Sequence, residues 1–97
     1  MFVHIGIHRK PTPGKETILL ESMKKFGETQ RKHAGLIAVF ALKDKRTGAL
    51  IGLALWDSEE HWRAALPDME KALKEYDFNE LDSIPPEGFA AEPAILI

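Results

Sequence analysis

The sequence predicts an α+β fold whose elements follow the order β-α-β-β-α-β. Four segments have the alternating or continuously apolar pattern of strands, and two segments have apolar residues at helical spacing. The two middle strands are joined by a short turn, which indicates a hairpin. One antiparallel sheet with both helices on one face is the ferredoxin-like arrangement. The predicted strands are Phe2–His8, Leu36–Leu42, Leu50–Trp56 and Phe89–Ile97, and the predicted helices run from Lys15 to about His33 and from about Glu59 to Tyr76.

A proline-rich turn separates the first strand from the first helix. In Phe2–His8, alternation puts three aliphatic side chains on one face and leaves a mixed face that contains two histidines and a glycine. The prolines at 11 and 13 remove backbone donors, so the strand ends before them. In the segment after Lys15, apolar residues recur at i, i+4 and i+7, which predicts an amphipathic helix.

The second and third strands are apolar on both faces. Leu36–Leu42 reads LIAVFAL and Leu50–Trp56 reads LIGLALW, so neither strand has a polar face. The turn between them, Asp44–Gly48, ends in a glycine that can adopt a positive φ. A sheet of this kind needs cover on both sides, and the helices cover only one. We therefore expect a homodimer in which two sheets pack face to face and enclose a cavity.

The second helix begins directly after the third strand. Asp57 or Ser58 can cap its first turn, where two glutamates lie near the positive end of the helix dipole. The apolar spacing continues to Tyr76. Pro67 lies inside this segment, so we expect a break just before it and a new helical start at the proline.

The last part of the chain is predicted to be a loop followed by one strand. The segment from Asp77 to Glu87 is acidic, and two consecutive prolines stiffen its end. Phe89–Ile97 then forms the final strand. Pro93 lies inside it, so we expect Ala94–Ile97 to be its regular part.

Length and composition exclude several classes of function. The 97 residues predict a single domain, residues 1–97, with the composition of a soluble globular protein. The net charge is −2 and the basic residues are interleaved with acids, so we expect no nucleic-acid binding. The absence of cysteine excludes disulfides and thiolate chemistry. No apolar run reaches membrane-spanning length, so we expect no membrane association and a cytoplasmic location.

The junction between the third strand and the second helix resembles that of a known superfamily. It reads LALWDSEEHWR over Leu53–Arg63, and a helix-to-strand junction of the same type occurs at His33–Leu36. Together with the order of elements, these residues resemble the dimeric α+β barrel superfamily and, within it, the antibiotic biosynthesis monooxygenase-like family. Members of the superfamily include cofactor-free oxygenases of aromatic quinols, haem-degrading oxygenases and isomerases. The resemblance covers nearly the whole chain and implies a dimer.

The residues of the haem-degrading branch are absent from the corresponding positions. That branch has an Asn on the first strand, a Trp partway along the second helix and a His further along the same helix. In this chain the first strand contains no Asn, and the two helical positions fall near Ala65 and Glu75. The resemblance therefore implies a reaction without haem, and we expect no cofactor.

The candidate catalytic residue is His4. It shares a strand face with Gly6, whose missing side chain leaves room for a ligand, and with His8 at the strand end. An imidazole titrates near neutrality and can act as a general base. The two histidines are roughly 13 Å apart at Cα, from a rise of ~3.3 Å per residue, and zinc–nitrogen bonds are only ~2 Å long. We therefore expect no metal site, and His8 is predicted to lie at the rim.

Three aromatic residues complete the candidate substrate site with Gly6 and His8. By the resemblance, Trp56 faces the cavity, where it can stack on a planar ligand; the alternative is a core residue at the edge of the sheet. Tyr76 can point its hydroxyl into the cavity mouth or cap the core. Phe40 belongs to one face or the other of a doubly apolar strand, and the sequence leaves the register of the hairpin open.

These observations favour a cofactor-independent monooxygenase that acts on a small planar hydrophobic or aromatic molecule. His4 would generate a carbanion that meets O₂ in a dry pocket. Two alternatives remain at this point. The same pocket can serve a non-catalytic small-molecule-binding dimer, or an isomerase in which His8 or Tyr76 supplies the second proton-transfer group.

Overall fold

The computed structural model describes all residues from Met1 to Ile97, with four strands and three helices. The order of elements is the predicted one, with an additional short helix before the last strand. None of the helices combines the length and the hydropathy that a membrane crossing requires. The elements are β1 (Phe2–His8), α1 (Glu16–Gln30), β2 (Leu36–Lys43), β3 (Leu50–Trp56), α2 (Glu59–Leu73), α3 (Phe78–Leu81) and β4 (Glu87–Ala91).

The four strands form one antiparallel sheet in the order β2-β3-β1-β4. β1 lies inside the sheet and pairs with β3 on one side and with β4 on the other. β2 and β3 form the predicted hairpin, and Gly48 in its turn has a φ of 78°. This strand order is ferredoxin-like, so the predicted fold class is confirmed.

Two apolar clusters hold the helices against one face of the sheet. The larger cluster is centred on the fully buried Trp56 at the end of β3, and the smaller one lies at the opposite end of that strand. The middle of the sheet between the two clusters has no large buried side chain. The clusters comprise Phe2, Ala54, Trp56, Ala65 and Met69 in the first and Leu19, Leu50 and Leu81 in the second.

Helix α2 is continuous through its proline. The Ser58 side chain caps it by accepting a hydrogen bond from the His61 backbone N–H at 3.2 Å. The prediction of a break before Pro67 is wrong. Pro67 is exposed, so water can solvate the carbonyl that loses its partner, while Ala65 and Met69 are buried on the sheet side. Burial of that face holds the helix together across the missing hydrogen bond.

The last strand lies earlier in the chain than predicted. β4 covers Glu87–Ala91, and the predicted regular part, Ala94–Ile97, follows it as exposed chain outside the sheet. The proline at 93 has no N–H to donate to a ladder, which explains why the strand ends before it. α1 also ends three residues before the predicted boundary, at Gln30, and the predicted acidic loop contains α3.

The face of the sheet opposite the helices is apolar and partly open. The aliphatic side chains of β1 align there with those of β3, Ile5 beside Leu53 in the central row. At the two ends of this row, Phe40 and Phe89 expose 50% and 47% of their surface. The predicted second apolar face is therefore present. It is hereafter called the outer face, and Glu87 is the one charged residue that the strand pairing puts on it. Its large apolar members are Val3, Ile5, Ile7, Phe40, Leu42, Ile51, Leu53, Leu55 and Phe89.

Candidate functional site

A cavity of about 610 Å³ lies between the helices and the middle of the sheet. It occupies the region between the two apolar clusters described above. Met23, Phe26 and Gly27 of α1 form its wall on the helix side, and Leu73 and Phe78 close it from α2 and α3. The volume and the apolar wall are those of a site for a small organic molecule.

The floor of the cavity is a row of four very small residues, one from each strand. Gly6 pairs with Gly52 and Gly88, and Gly52 pairs with Ala41, so the row crosses the whole sheet in register. A Cβ atom built on Gly6 or on Gly88 would have no heavy atom within 4 Å. The row therefore leaves open space above a flat backbone surface, and it is hereafter called the glycine floor.

His4 lies in the row next to the glycine floor, on the same face of β1. Its ring centroid is 5.5 Å from that of Trp62, and its imidazole makes no hydrogen bond to another group of the protein. Burial lowers the pKa of His4 below its ordinary value of 6.5, because the charged imidazolium loses solvation. At neutral pH the cavity therefore contains an uncharged imidazole with a free nitrogen lone pair.

His8 lies on the other side of the glycine floor and is bonded to a buried carboxylate. The distance between His8 Nδ1 and Asp82 Oδ2 is 2.9 Å. The side chains of the two residues are 13% and 1% exposed, so this pair is far more buried than an ordinary surface ion pair. The ring planes of His8 and Phe78 make an angle of 29°, with centroids 6.0 Å apart. His8 is thus a fixed part of the cavity wall.

Gln30 contributes a third polar group to the cavity. The residue is 1% exposed, it lines the cavity, and its Oε1 atom has no hydrogen-bond partner. The direction of α1 shows where Gln30 lies in the cavity. Glu16, at the start of α1, pairs with Lys43, and Lys43 lies in the same row of the sheet as His8. α1 therefore begins at the His8 end of the cavity, and Gln30 lies at the far end. A ligand that donates a hydrogen bond there would satisfy this buried oxygen.

The structure brings together His4, Gly6 and His8 at the cavity, which Phe40 also borders, and places Trp56 and Tyr76 away from its lining. Trp56 is fully buried in the larger cluster and does not line the cavity. Tyr76 packs beside the smaller cluster, with its ring centroid 6.3 Å from that of Phe78.

The hairpin register assigns the side chain of Phe40 to the outer face. Phe40 pairs with Leu53, whereas its neighbour Val39 faces α1, with both methyl groups 3.6 Å from a Cβ built on Gly27. The Phe40 backbone and Ala41 still border the cavity at the edge of the sheet.

Sequence reasoning missed Asp82, Gln30 and Phe78 as parts of the site. Asp82 is 74 residues from His8 and belongs to a stretch that reads as a solvated acidic loop. Gln30 and Phe78 carry no motif. The one usable signal was the helical spacing of Gln30 after Met23 and Phe26, which puts a polar residue on the apolar side of α1. The structure contains no group of three or more side chains that could hold a metal ion.

No family model matches the sequence, and no curated protein matches it either. Solved structures do match. A Deinococcus radiodurans protein named as a candidate antibiotic biosynthesis monooxygenase superposes with a TM-score of 0.79 at 16% identity, over 100% of this chain and 96% of that one. A Chloroflexus aurantiacus protein named in the same way gives a TM-score of 0.71 at 21% identity, over 99% and 95%.

A third match is an alanine variant of SnoaB, a cofactor-independent oxygenase from Streptomyces nogalater. It superposes with a TM-score of 0.77 at 11% identity, over 99% of this chain and 95% of that chain. At these identities the likeness shows the fold alone. The resemblance to the antibiotic biosynthesis monooxygenase-like family is therefore confirmed at the level of the fold.

Proposed function

We propose that this protein is a cofactor-independent monooxygenase that acts on a planar hydrophobic or aromatic molecule. The observation that carries the proposal is an uncharged, half-buried His4 beside a flat glycine floor, in a cavity of about 610 Å³. The fold of SnoaB, a cofactor-independent oxygenase, gives additional support. A planar ring system fits the floor because no side chain rises from Gly6 or Gly88.

The proposed reaction converts an activated CH₂ group into a carbonyl with O₂ as the oxidant. His4 takes a proton from the carbon, and the electron pair of the broken C–H bond spreads over the aromatic system. The carbanion gives one electron to O₂, and the two radicals combine into a carbon-bound peroxide. That peroxide is protonated, and loss of one water molecule leaves C=O. The overall balance is CH₂ + O₂ → C=O + H₂O.

The proposal includes a homodimer that covers the outer face. Phe40 and Phe89 are half exposed at the ends of the row that also contains Ile5 and Leu53. An apolar patch of this kind, in the middle of a sheet, is unfavourable in water. Pairing of two outer faces would remove it from water and would leave both cavities on the helix sides of their own sheets.

The test uses anthrone, a planar tricyclic ketone with a CH₂ group between two rings. Wild-type protein should consume O₂ and form anthraquinone in equal amounts, and His4→Ala should lower the rate by roughly 10²–10⁴, the usual contribution of a general base. His33→Ala is the matched control, since His33 is bonded to Asp68 on the surface. Retention of the wild-type rate in His4→Ala would exclude His4 as the base.

A non-catalytic ligand-binding protein is the second candidate, because few polar side chains lie inside the cavity. The charged residues that border it are exposed: Lys24, Glu28, Arg31 and Glu87. Inside the cavity, apolar residues surround the polar side chains of His4, His8 and Gln30. Saturable quenching of tryptophan fluorescence by anthrone, with no O₂ consumed and no anthraquinone formed, would favour this candidate over the oxygenase.

A further inference from the structure

We propose that His8 and Asp82 form a proton-accepting dyad that binds a phenolic hydroxyl of the ligand and takes its proton. The proposal rests on the proposed function only in using the same cavity as the ligand site. It adds the two residues that bind a hydroxyl group of the ligand at one end of this cavity. In the step, the ligand O–H bond breaks, an N–H bond forms at His8 Nε2, and the electron pair stays on the phenolate oxygen.

The hydrogen bond to Asp82 sets the tautomer of His8. An ionised carboxylate only accepts hydrogen bonds, so His8 Nδ1 carries the hydrogen and donates it to Asp82 Oδ2. The lone pair of the neutral ring is then on Nε2, which has no partner in the protein. An imidazole held in this tautomer is ready to accept a proton, and the carboxylate stabilises the imidazolium that results.

The buried Asp82 carboxylate has the His8 imidazole as its single polar partner. Its side chain is 1% exposed, and its second oxygen, Oδ1, has no hydrogen-bond partner. A buried carboxylate with a single polar partner is poorly compensated. A positive charge on His8 would improve that compensation, so transfer of the ligand proton to His8 is favoured by the carboxylate behind it.

The backbone around Asp82 is fixed by two hydrogen bonds with the loop that follows β1. The Thr12 N–H donates to the Leu81 carbonyl at 2.9 Å, and the Ser83 N–H donates to the Lys10 carbonyl at 2.8 Å. Pro11 and Asp82 form an isolated antiparallel bridge between these bonds. Asp82 is therefore held against the end of the strand that carries His8, which keeps the imidazole in one orientation.

The position of the dyad explains why the ligand should be elongated. His8 and His4 are on one face of β1, four residues and roughly 13 Å apart at Cα, with the glycine floor between them. A ligand that presents a carbon to His4 and a hydroxyl to His8 must span that floor. Phe78 stacks against His8, and the other charged pair nearby, Arg9 with Glu87, is exposed at the rim. A fused-ring phenol meets these conditions.

The test measures the ionisation of a bound chromophore and needs no oxygenase activity. The probe is 4-nitro-1-naphthol, a planar phenol whose phenolate absorbs at longer wavelength than the neutral form. When the probe is bound to the wild-type protein, the midpoint pH at which its phenolate band appears should be about one pH unit lower than for the free probe. This is a tenfold shift in its acid equilibrium. Asp82→Asn should return the midpoint to that of the free probe.

Asp68→Asn is the matched control. It breaks a His–Asp hydrogen bond of the same length, 2.9 Å, between His33 and Asp68 on the surface, and should leave the shift unchanged. An equal shift in Asp82→Asn, or no shift in the wild type, would overturn the proposal. A failure of anthrone oxidation would overturn the proposed function without affecting this result.

A second measurement tests the dyad even if Asp82→Asn does not fold. The ¹⁵N shifts of the His8 ring in ligand-free wild-type protein report its tautomer directly. The proposal requires hydrogen on Nδ1 and a free lone pair on Nε2. The opposite tautomer would overturn it.

Discussion

The two faces of the sheet have the opposite polarity to that expected of a monomer with one layer of helices on one sheet. The covered face, under the helices, contains the polar and empty positions, with His4, His8 and the glycine floor. The outer face is apolar apart from Glu87 at its β4 edge, although nothing in the chain covers it. An antiparallel sheet with one side in water normally alternates apolar-in and polar-out. This reversal is the reason for proposing that the outer face contacts a second copy of the chain and that the covered face contacts a ligand.

The strongest test of this difference between the two faces is a charged residue placed on the outer face. In Phe40→Asp the folded monomer should persist, because Phe40 is 50% exposed, but the homodimer should weaken by about a hundredfold to a few thousandfold. An unpaired charge buried at an interface costs about 3–5 kcal/mol. Light scattering should then give a mass near 10.9 kDa instead of twice that value.

The control for this charge substitution is Ile18→Asp. Ile18 is 40% exposed on α1, away from the outer face, so this variant should keep the mass of the wild type. A wild-type protein that is itself a monomer at micromolar concentration would contradict the proposed role of the outer face.

Filling the glycine floor should affect the covered face alone. In Gly6→Val the new side chain would enter the open space above β1, where a Cβ meets no heavy atom within 4 Å. We expect anthrone to bind about 10–100-fold more weakly, since a bulky side chain blocks contact of a planar ring with the floor. Fluorescence titration measures the affinity, and the melting temperature should change little, because the added Cβ meets no protein atom within 4 Å. Unchanged affinity would show that the ligand does not lie on the floor.

The smallest expected effect is the pH dependence of the covered face. Because the pKa of His4 is lowered below 6.5, the neutral form persists at pH values where an exposed histidine is already charged. Oxidation of anthrone should be constant around pH 7 and fall by at most about tenfold per pH unit as the pH drops through the lowered pKa.

The same lowered pKa affects stability. The unfolded chain binds a proton at His4 more readily than the folded chain, so the wild type should lose stability as the pH falls below 6.5. His4→Gln should show a weaker loss in denaturant titrations over that range. An identical pH dependence in both proteins would mean that burial of His4 does not disfavour its charge.

The sequence was sufficient for features that depend on local pattern, and it failed where distant segments meet. Alternation in β1 and β3 predicted both faces of the sheet, and it put His4 and His8 on the mixed face of their strand. The contact between His8 and Asp82 joins residues 74 positions apart, and no periodicity encodes it. Phe40 shows the same limit, since its face follows from the pairing of β2 with β3.

Trp56 shows a different limit of sequence reasoning. A large aromatic residue at the end of a strand suits either a ligand wall or a core. The choice in favour of the core depends on Phe2 of β1 and on Ala65 and Met69 of α2, which come from two other parts of the chain. The resemblance carried Trp56 into the cavity, but the packing of this chain buries it in the larger cluster.

The glycine floor makes the cavity adjustable in single-atom steps. Each of Gly88, Gly6 and Gly52 lies at a different distance across the sheet, and a methyl group added at any of them would shorten the available space at one known point. The backbone would not have to move at Gly6 or Gly88, where a Cβ has free space. A series of alanine substitutions along this row would therefore show which strands lie beneath a bound ligand, because only those substitutions would weaken its binding.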